Sequence, residues 1–271
     1  MTEADSQVAT VVRVRRDGPI GHILLDRPES MNAITVELGR QPERALIELA
    51  EDVHVIVIRG VGGNFSVGGD FHELERLRAK GPSALTPLFE NFGRACAVIA
   101  TLPVPVVAAV EGYAMAGGFE LMQACDISLV RADAKIADNH SNFGQVPGGG
   151  GSQRLPRLVG RQRAMAHILS GERITGEQAA AWGLAYRSLP PAEFDAGVAE
   201  FADRLAGKNR DAMAKIKRLV YEGLRLPLAE GLAMELSTVV GHVSGDSAGA
   251  GIEGFTKGTA QKGRGGTRGA N

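Results

Sequence analysis

The stretch Val104–Cys125, "VPVVAAVEGYAMAGGFELMQAC", gives up side chains at Gly117 and Gly118 and then places a carboxylate at Glu120. A β-branched apolar run precedes the glycines and a helical pattern follows them, so the segment reads as strand "VPVVAAV", glycine turn "EGYAMAGG" and helix "FELMQAC". The same order occurs upstream: strand "VHVIVIRG", glycine-rich "VGGNFSVGGDF", helix "HELERLRAK". Val67 and Gly117, in the two turns, are 50 residues apart. A third strand, "DISLVRAD", leads into "AKIADNHSNFGQVPGGGGSQRLPRLVG". These repeats predict an α/β spiral of strand, glycine turn and helix. A hairpin around Asp17-Gly18-Pro19 comes before it, with a helix over "TVELGRQPERALIELAED" that restarts near Pro42.

From Arg161 onward the apolar spacing is helical in "RQRAMAHILSG", "TGEQAAAWG", "PAEFDAGVAEFADRLAG", "RDAMAKIKRLVYEG" and "LAEGLAMELSTVVGH". Their apolar faces are wider than one short domain needs, which points to self-association. The expected organisation is a core over residues 1–200, a helical oligomerisation region over 201–260 and a basic, glycine-rich tail over 261–271.

The 271 residues are 44% hydrophobic and 23% charged with a formal net charge of −1, the balance of a soluble globular protein. Nothing in that balance points to nucleic acid or a membrane surface. The N-terminal "MTEADSQVATVVRVRRD" lacks a signal-peptide core, and the most apolar run, "CAVIATLPVPVVAAV", is interrupted by Pro103 and Pro105. Cys96 and Cys125 are too few for a disulfide framework or a zinc cage and read as reduced core residues of a cytoplasmic protein. No metal site is expected.

The glycine-rich stretches are poor phosphate loops. "GVGGNF" begins a dinucleotide fingerprint at Gly60 and Gly62 but has Phe65 where the third glycine belongs. "PGGGGSQR" lacks the Gly-Lys-Ser/Thr ending of a triphosphate loop. Backbone anion binding suits them better: the turn at Gly117-Gly118 opens a helix, whose first N–H groups are unpaired and whose dipole favours negative charge. The Val67–Asp70 turn has the same setting, with Asp70 placed to cap a helix starting near Phe71. Such donors suit a thioester oxygen that becomes an enolate or tetrahedral oxyanion.

In order and spacing, "RPESMNAI", "FSVGGDF", "GYAMAGGFELMQACD", "VPGGGGSQRLPRLVG" and "GERITGEQAAAWGL" resemble the enoyl-coenzyme A hydratase/isomerase (crotonase) superfamily, over residues 10 to 260 or so. The resemblance implies a crotonase-like spiral of ββα units, a C-terminal helical trimerisation region, and assembly as a homotrimer or a hexamer built as a dimer of trimers. It puts the two oxyanion donors on the backbone N–H groups of Val67 and Gly117 and a catalytic carboxylate at Glu120. In the family a second glutamate precedes the proline of the "PGGGG" motif by seven residues; here that position, counted back from Pro147, is His140. The exchange keeps acid/base capacity while changing the charge. Asp138 and Asn139 are read as orienting that ring or contacting substrate, and His22, His54, His72, His167 and His242 as surface or packing residues.

The resemblance further places coenzyme A, as part of an acyl-CoA substrate and with no separate cofactor, along Met31 to Ala33 and along Gly69, Asp70 and Phe71. Arg27 is the phosphate candidate, yet Glu29 stands where relatives often carry a basic residue, which points to phosphate contacts from elsewhere. Phe255, Lys257 or Lys262 would serve a neighbouring subunit's site. The reaction it implies is reversible hydration of a 2-enoyl-CoA. Isomerisation, thioester or C–C hydrolysis, and a catalytically silent acyl-CoA- or RNA-binding protein are the alternatives.

Overall fold

The computed structural model describes residues 9–245, which group into two units, divided between Lys208 and Asn209. The expected tail and the residues Phe255, Lys257 and Lys262 lie outside the described residues.

In the first unit, β1 (Val12–Asp17) and β2 (Ile20–Leu25) form the expected hairpin, with Gly18 supplying a positive φ of 53° at the turn. α1 (Val36–Asp52) is capped by Thr35, whose hydroxyl accepts from the Leu38 N–H. α1 runs through Pro42 instead of restarting there. Leu38, Ala45, Leu46 and Leu49 stay on one buried face, and that packing outweighs the backbone hydrogen bond proline cannot make. β3 (Val55–Gly60) is followed by the first glycine turn, then α2 (Phe71–Arg78) and α3 (Pro82–Val98). β4 (Val106–Val110) leads into the second glycine turn. That turn contains a short strand, β5 (Tyr113–Met115), before α4 (Gly117–Ala124). β6 (Ile127–Arg131), β7 (Lys135–Ala137), α5 (Gly151–Val159), α6 (Arg161–Ser170), β8 (Ile174–Thr175), α7 (Gly176–Ala181), β9 (Arg187–Leu189) and α8 (Phe194–Ala206) complete the unit.

The main sheet has the order β1-β2-β3-β4-β6-β9, parallel from β2 onward, and β5-β7-β8 form a second sheet. The second layer is what the glycine turns belong to. Isolated parallel bridges join Ile34 to Gly69 and Ser66 to Ala114, so each turn of the spiral lays an extended segment beside the next. β5 escapes a reading by apolar pattern because three residues carry no period and its pairing with β7 is 22 residues away.

The period-2 alternation of the parallel strands fills both faces of the main sheet. Ile56, Ile58, Val106, Ala108 and Val110 join the core with α1, α3 and α4, while Val55, Val57, Val107 and Ala109 pack on α8 through Phe194, Val198, Phe201 and Ala202. α8 is therefore part of the core, and the unit ends after residue 208 instead of at 200. At the strand ends Glu111 accepts from Arg59 at 2.6 Å and Arg131 at 3.1 Å, tying β3, β4 and β6 together.

The second unit contains α9 (Arg210–Gly223), capped by the Asn209 side chain accepting from the Ala212 N–H, and α10 (Leu228–Val243). Neither helix has a buried residue, and Ile216, Val220, Leu228, Leu232 and Leu236 are exposed. No helix among the described residues is long and apolar enough to cross a membrane.

Candidate active site

The two glycine turns touch. A Cβ added to Gly68 would lie 2.6 Å from Ala116 Cβ and 3.1 Å from the Gly117 nitrogen, so only glycine admits this approach. Gly68 also has a φ of 92°, and Ala116, a non-glycine residue, is held at φ 46° and ψ −117°. The Ala116 N–H donates to Ala137 O at 3.0 Å, so β7 fixes the strained residue that starts α4.

A cavity of about 390 Å³ opens over this junction. Val67, Gly69 and Gly117 line it together with Glu120 and His140, so the sequence's candidates for oxyanion donors and acid/base groups share one space. The Gly117 N–H, at the first position of α4, has no acceptor among the described residues. The Val67 N–H is different. Met31 and Asn32 both adopt left-handed backbone, φ 50° and 58°, and this turns the Met31 carbonyl onto the Val67 N–H at 3.2 Å. Of the two expected donors, one is unengaged and the other holds a long internal bond.

Glu120 is 2% exposed in the first turn of α4. Its Oε1 accepts from the Gly149 N–H and the Gly151 N–H, each at 2.8 Å, leaving Oε2 toward His140. The "PGGGG" segment is therefore a cradle for a carboxylate, a role its sequence did not disclose. A Cβ on Gly149 would come 2.9 Å from Glu120 Oε2, and one on Gly151 3.1 Å from Oε1. Burial raises the Glu120 pKa, and the two amides and the His140 charge offset only part of that rise.

His140 opens a short 3-10 turn after β7, and its Nε2 lies 3.9 Å from Glu120 Oε2. Its Nδ1–H donates to Asp138 Oδ1 at 2.6 Å. Burial alone would lower the His140 pKa; the hydrogen bond and charge of Asp138, joined by the Glu120 charge, more than reverse it. Of the two readings open for Asp138, the geometry selects ring orientation. Asn139 lines the cavity.

Of the surface and packing readings open for His167, the structure gives packing, with a hydrogen bond the sequence did not disclose. His167 is 2% exposed on α6, its ring meeting Phe119 and Trp182 edge-on, and its Nε2 accepts from the Asp138 N–H at 3.1 Å. Burial lowers its pKa. Its partner is 29 residues away, and only the fold brings the two together.

Arg27, expected at a phosphate, is committed elsewhere. Its guanidinium donates to Ala33 O and to Asp70 Oδ2, the latter at 3.0 Å. Asp70 also caps α2, accepting from the His72 and Glu73 N–H groups, so one carboxylate joins the Arg27 loop to the Val67–Asp70 turn. Asn32, fully buried, secures the same loop by donating to Val61 O and Asn64 O and accepting from the Arg27 N–H. Met31 and Phe71 are exposed, and Phe71 lines the cavity mouth 5.3 Å from the Phe143 ring. Leu74 from α2 and Leu88, Phe89 and Phe92 from α3 make the remaining wall apolar.

A family model described as enoyl-CoA hydratase/isomerase matches residues 15–261. The chain belongs to the enoyl-CoA hydratase/isomerase family. It is similar to the mitochondrial enoyl-CoA hydratase of Pongo abelii, 32% identical over 222 residues, which cover 81% of this chain and 75% of that protein. Among solved structures it resembles an enoyl-CoA hydratase from Polaromonas sp. JS666 with a TM-score of 0.87 at 29% identity, covering 91% of this chain and 96% of that one. A Thermobifida fusca relative solved in complex with CoA gives a TM-score of 0.80 at 28% identity, covering 86% and 93% of the two chains. The architecture is thus the crotonase fold, and the chain is an acyl-CoA-processing member of the hydratase/isomerase family.

Proposed function

We propose that the chain catalyses reversible addition of water to a 2-enoyl-CoA thioester. The observation that carries this reading is the placement of Glu120 Oε2 and His140 Nε2 3.9 Å apart in the cavity that Gly117 also lines. Glu120, ionised, takes a proton from water as its oxygen bonds to C3. The double-bond electrons move onto the thioester oxygen, and the resulting enolate is held by the Gly117 N–H at the positive end of α4. Val67 adds a second donor by exchanging its bond with Met31 O for the substrate oxygen. The His140 imidazolium then delivers a proton to C2, and Glu120 returns its proton to His140 to close the cycle.

The apolar wall from α2 and α3 suits an acyl chain. Arg27 is engaged with Asp70 and Ala33, so CoA phosphate contacts come from other groups. The exposed apolar residues of α9 and α10 support a homotrimer or a dimer of trimers. The buried Cys96 and Cys125, neither of them in a disulfide, support a reducing, cytoplasmic setting; burial pushes the Cys96 thiol up to about 12.

The Asp138–His140 pair favours one second reading, hydrolysis, in which imidazole activates water against the thioester carbonyl. Product analysis in ¹⁸O-labelled water separates the two: label at C3 supports hydration, label in a carboxylate supports hydrolysis, and unlabelled product with a moved double bond contradicts both.

A further inference from the structure

Asp138 is fully buried, does not line the cavity, and yet makes a 2.6 Å hydrogen bond to His140, which does. Its position is enforced from three sides. β7 ends at Ala137 in register with β5, the Asp138 N–H is held by His167, and Gly151 packs so closely that an added Cβ would lie 3.1 Å from Asp138 Oδ2. His167 can accept from that N–H only through an unprotonated Nε2, so the ring is neutral with its proton on Nδ1. The aromatic edges of Phe119 and Trp182 keep it there.

We propose that Asp138, held by His167, is the positioning residue of this site: it keeps the His140 proton on Nδ1 and so turns Nε2 toward Glu120 and the substrate. This rests on the reading of His140 as an acid/base group. A buried carboxylate that accepts Nδ1–H leaves Nε2 as the only nitrogen able to exchange a proton with the cavity, in either charge state of the ring. It also favours the imidazolium, the form needed to protonate C2. The charged groups facing His140 are Asp138 at the end of β7 and Glu120 on α4. Arg154 on α5 turns instead to Gly149 O, and His167 on α6 meets Asp138, not the ring.

The test reads the ring directly, by ¹⁵N NMR of histidine-labelled protein across pH, and needs no turnover. In the wild-type protein the neutral His140 ring is expected as the Nδ1–H tautomer with a raised pKa, and Asp138→Asn is expected to lower that pKa. An Asn side chain can rotate to donate to Nδ1, which stabilises the wrong tautomer, so kcat is expected to fall ~10²-fold or more while KM for the acyl-CoA stays within about twofold. Adding Asp138→Asn to His140→Ala is expected to cost nothing further. The proposal is overturned if wild-type His140 carries its neutral proton on Nε2, a result that requires no variant to fold. It is equally overturned if Asp138→Asn costs the same factor with and without His140. Failure of hydration alone leaves the NMR result standing and sinks only the reaction assignment.

Discussion

The shared geometry of Glu120 and His140 makes their titration a property of the pair. In the proposed hydration Glu120 must be ionised to take a proton from water, and His140 must be protonated to supply one. The kcat/KM profile is therefore expected to be bell-shaped. Its rising limb lies above the usual carboxylate range because Glu120 is buried, and its falling limb lies above the ordinary imidazole value because Asp138 outweighs burial. A limb at the unperturbed carboxylate value would remove Glu120 from the mechanism. Glu120→Gln is expected to lower kcat by about 10²- to 10⁴-fold with acyl-CoA affinity retained in calorimetry. Linkage adds a stability effect: the raised His140 pKa contributes stability that is full below the unfolded imidazole value and is lost as pH rises through the folded one. At this scale the sequence was informative wherever chemistry is local. Asp70 next to its helix, Glu120 after two glycines and His140 seven residues before Pro147 were legible. The amides of Gly149 and Gly151 on Glu120, and His167 on Asp138, were not, because contacts across 29 or more residues leave no periodic trace.

Each glycine turn works as an element by letting one backbone lie against another. Gly68→Ala would put a side chain at φ 92° and within 2.9 Å of Met115 O. We expect it to destabilise the protein by about 1–3 kcal/mol in denaturant unfolding and to lower kcat/KM by spreading Val67 from Gly117. Asp70→Ala removes the α2 cap and leaves Arg27 without its carboxylate; loss of the cap alone costs about 1 kcal/mol, read as a lower Tm. The Asp70 pKa is depressed: burial opposes this, but the α2 amides and Arg27 outweigh it. Its contribution is accordingly present above the unfolded carboxylate value and lost as pH falls through the folded one. Strand, turn and helix order could be read from sequence because β3 and β4 are continuous apolar runs. β5, β7, β8 and β9, of two or three residues each, could not, since neighbouring turns of the spiral define them.

At the scale of the molecule, the spiral places two helix-opening turns and the β7 end around one cavity, although they come from segments far apart in the chain. The two C-terminal helices keep their apolar residues exposed. Leu228→Asp with Leu232→Asp is expected to convert an oligomer into monomers in light scattering; an unchanged mass would remove α10 from the assembly surface. The family resemblance made the fold legible, but the histidine in place of the second glutamate left the reaction open, and the Asp138–His140–Glu120 geometry is what supports the proposed hydration. The most direct measurement is a structure with a bound acyl-CoA enolate analogue. The account predicts the thioester oxygen about 2.7–3.1 Å from the Gly117 nitrogen, with C2 facing His140 Nε2 and C3 facing Glu120 Oε2. A thioester oxygen bound away from Gly117, or a C2 turned from His140, would contradict it.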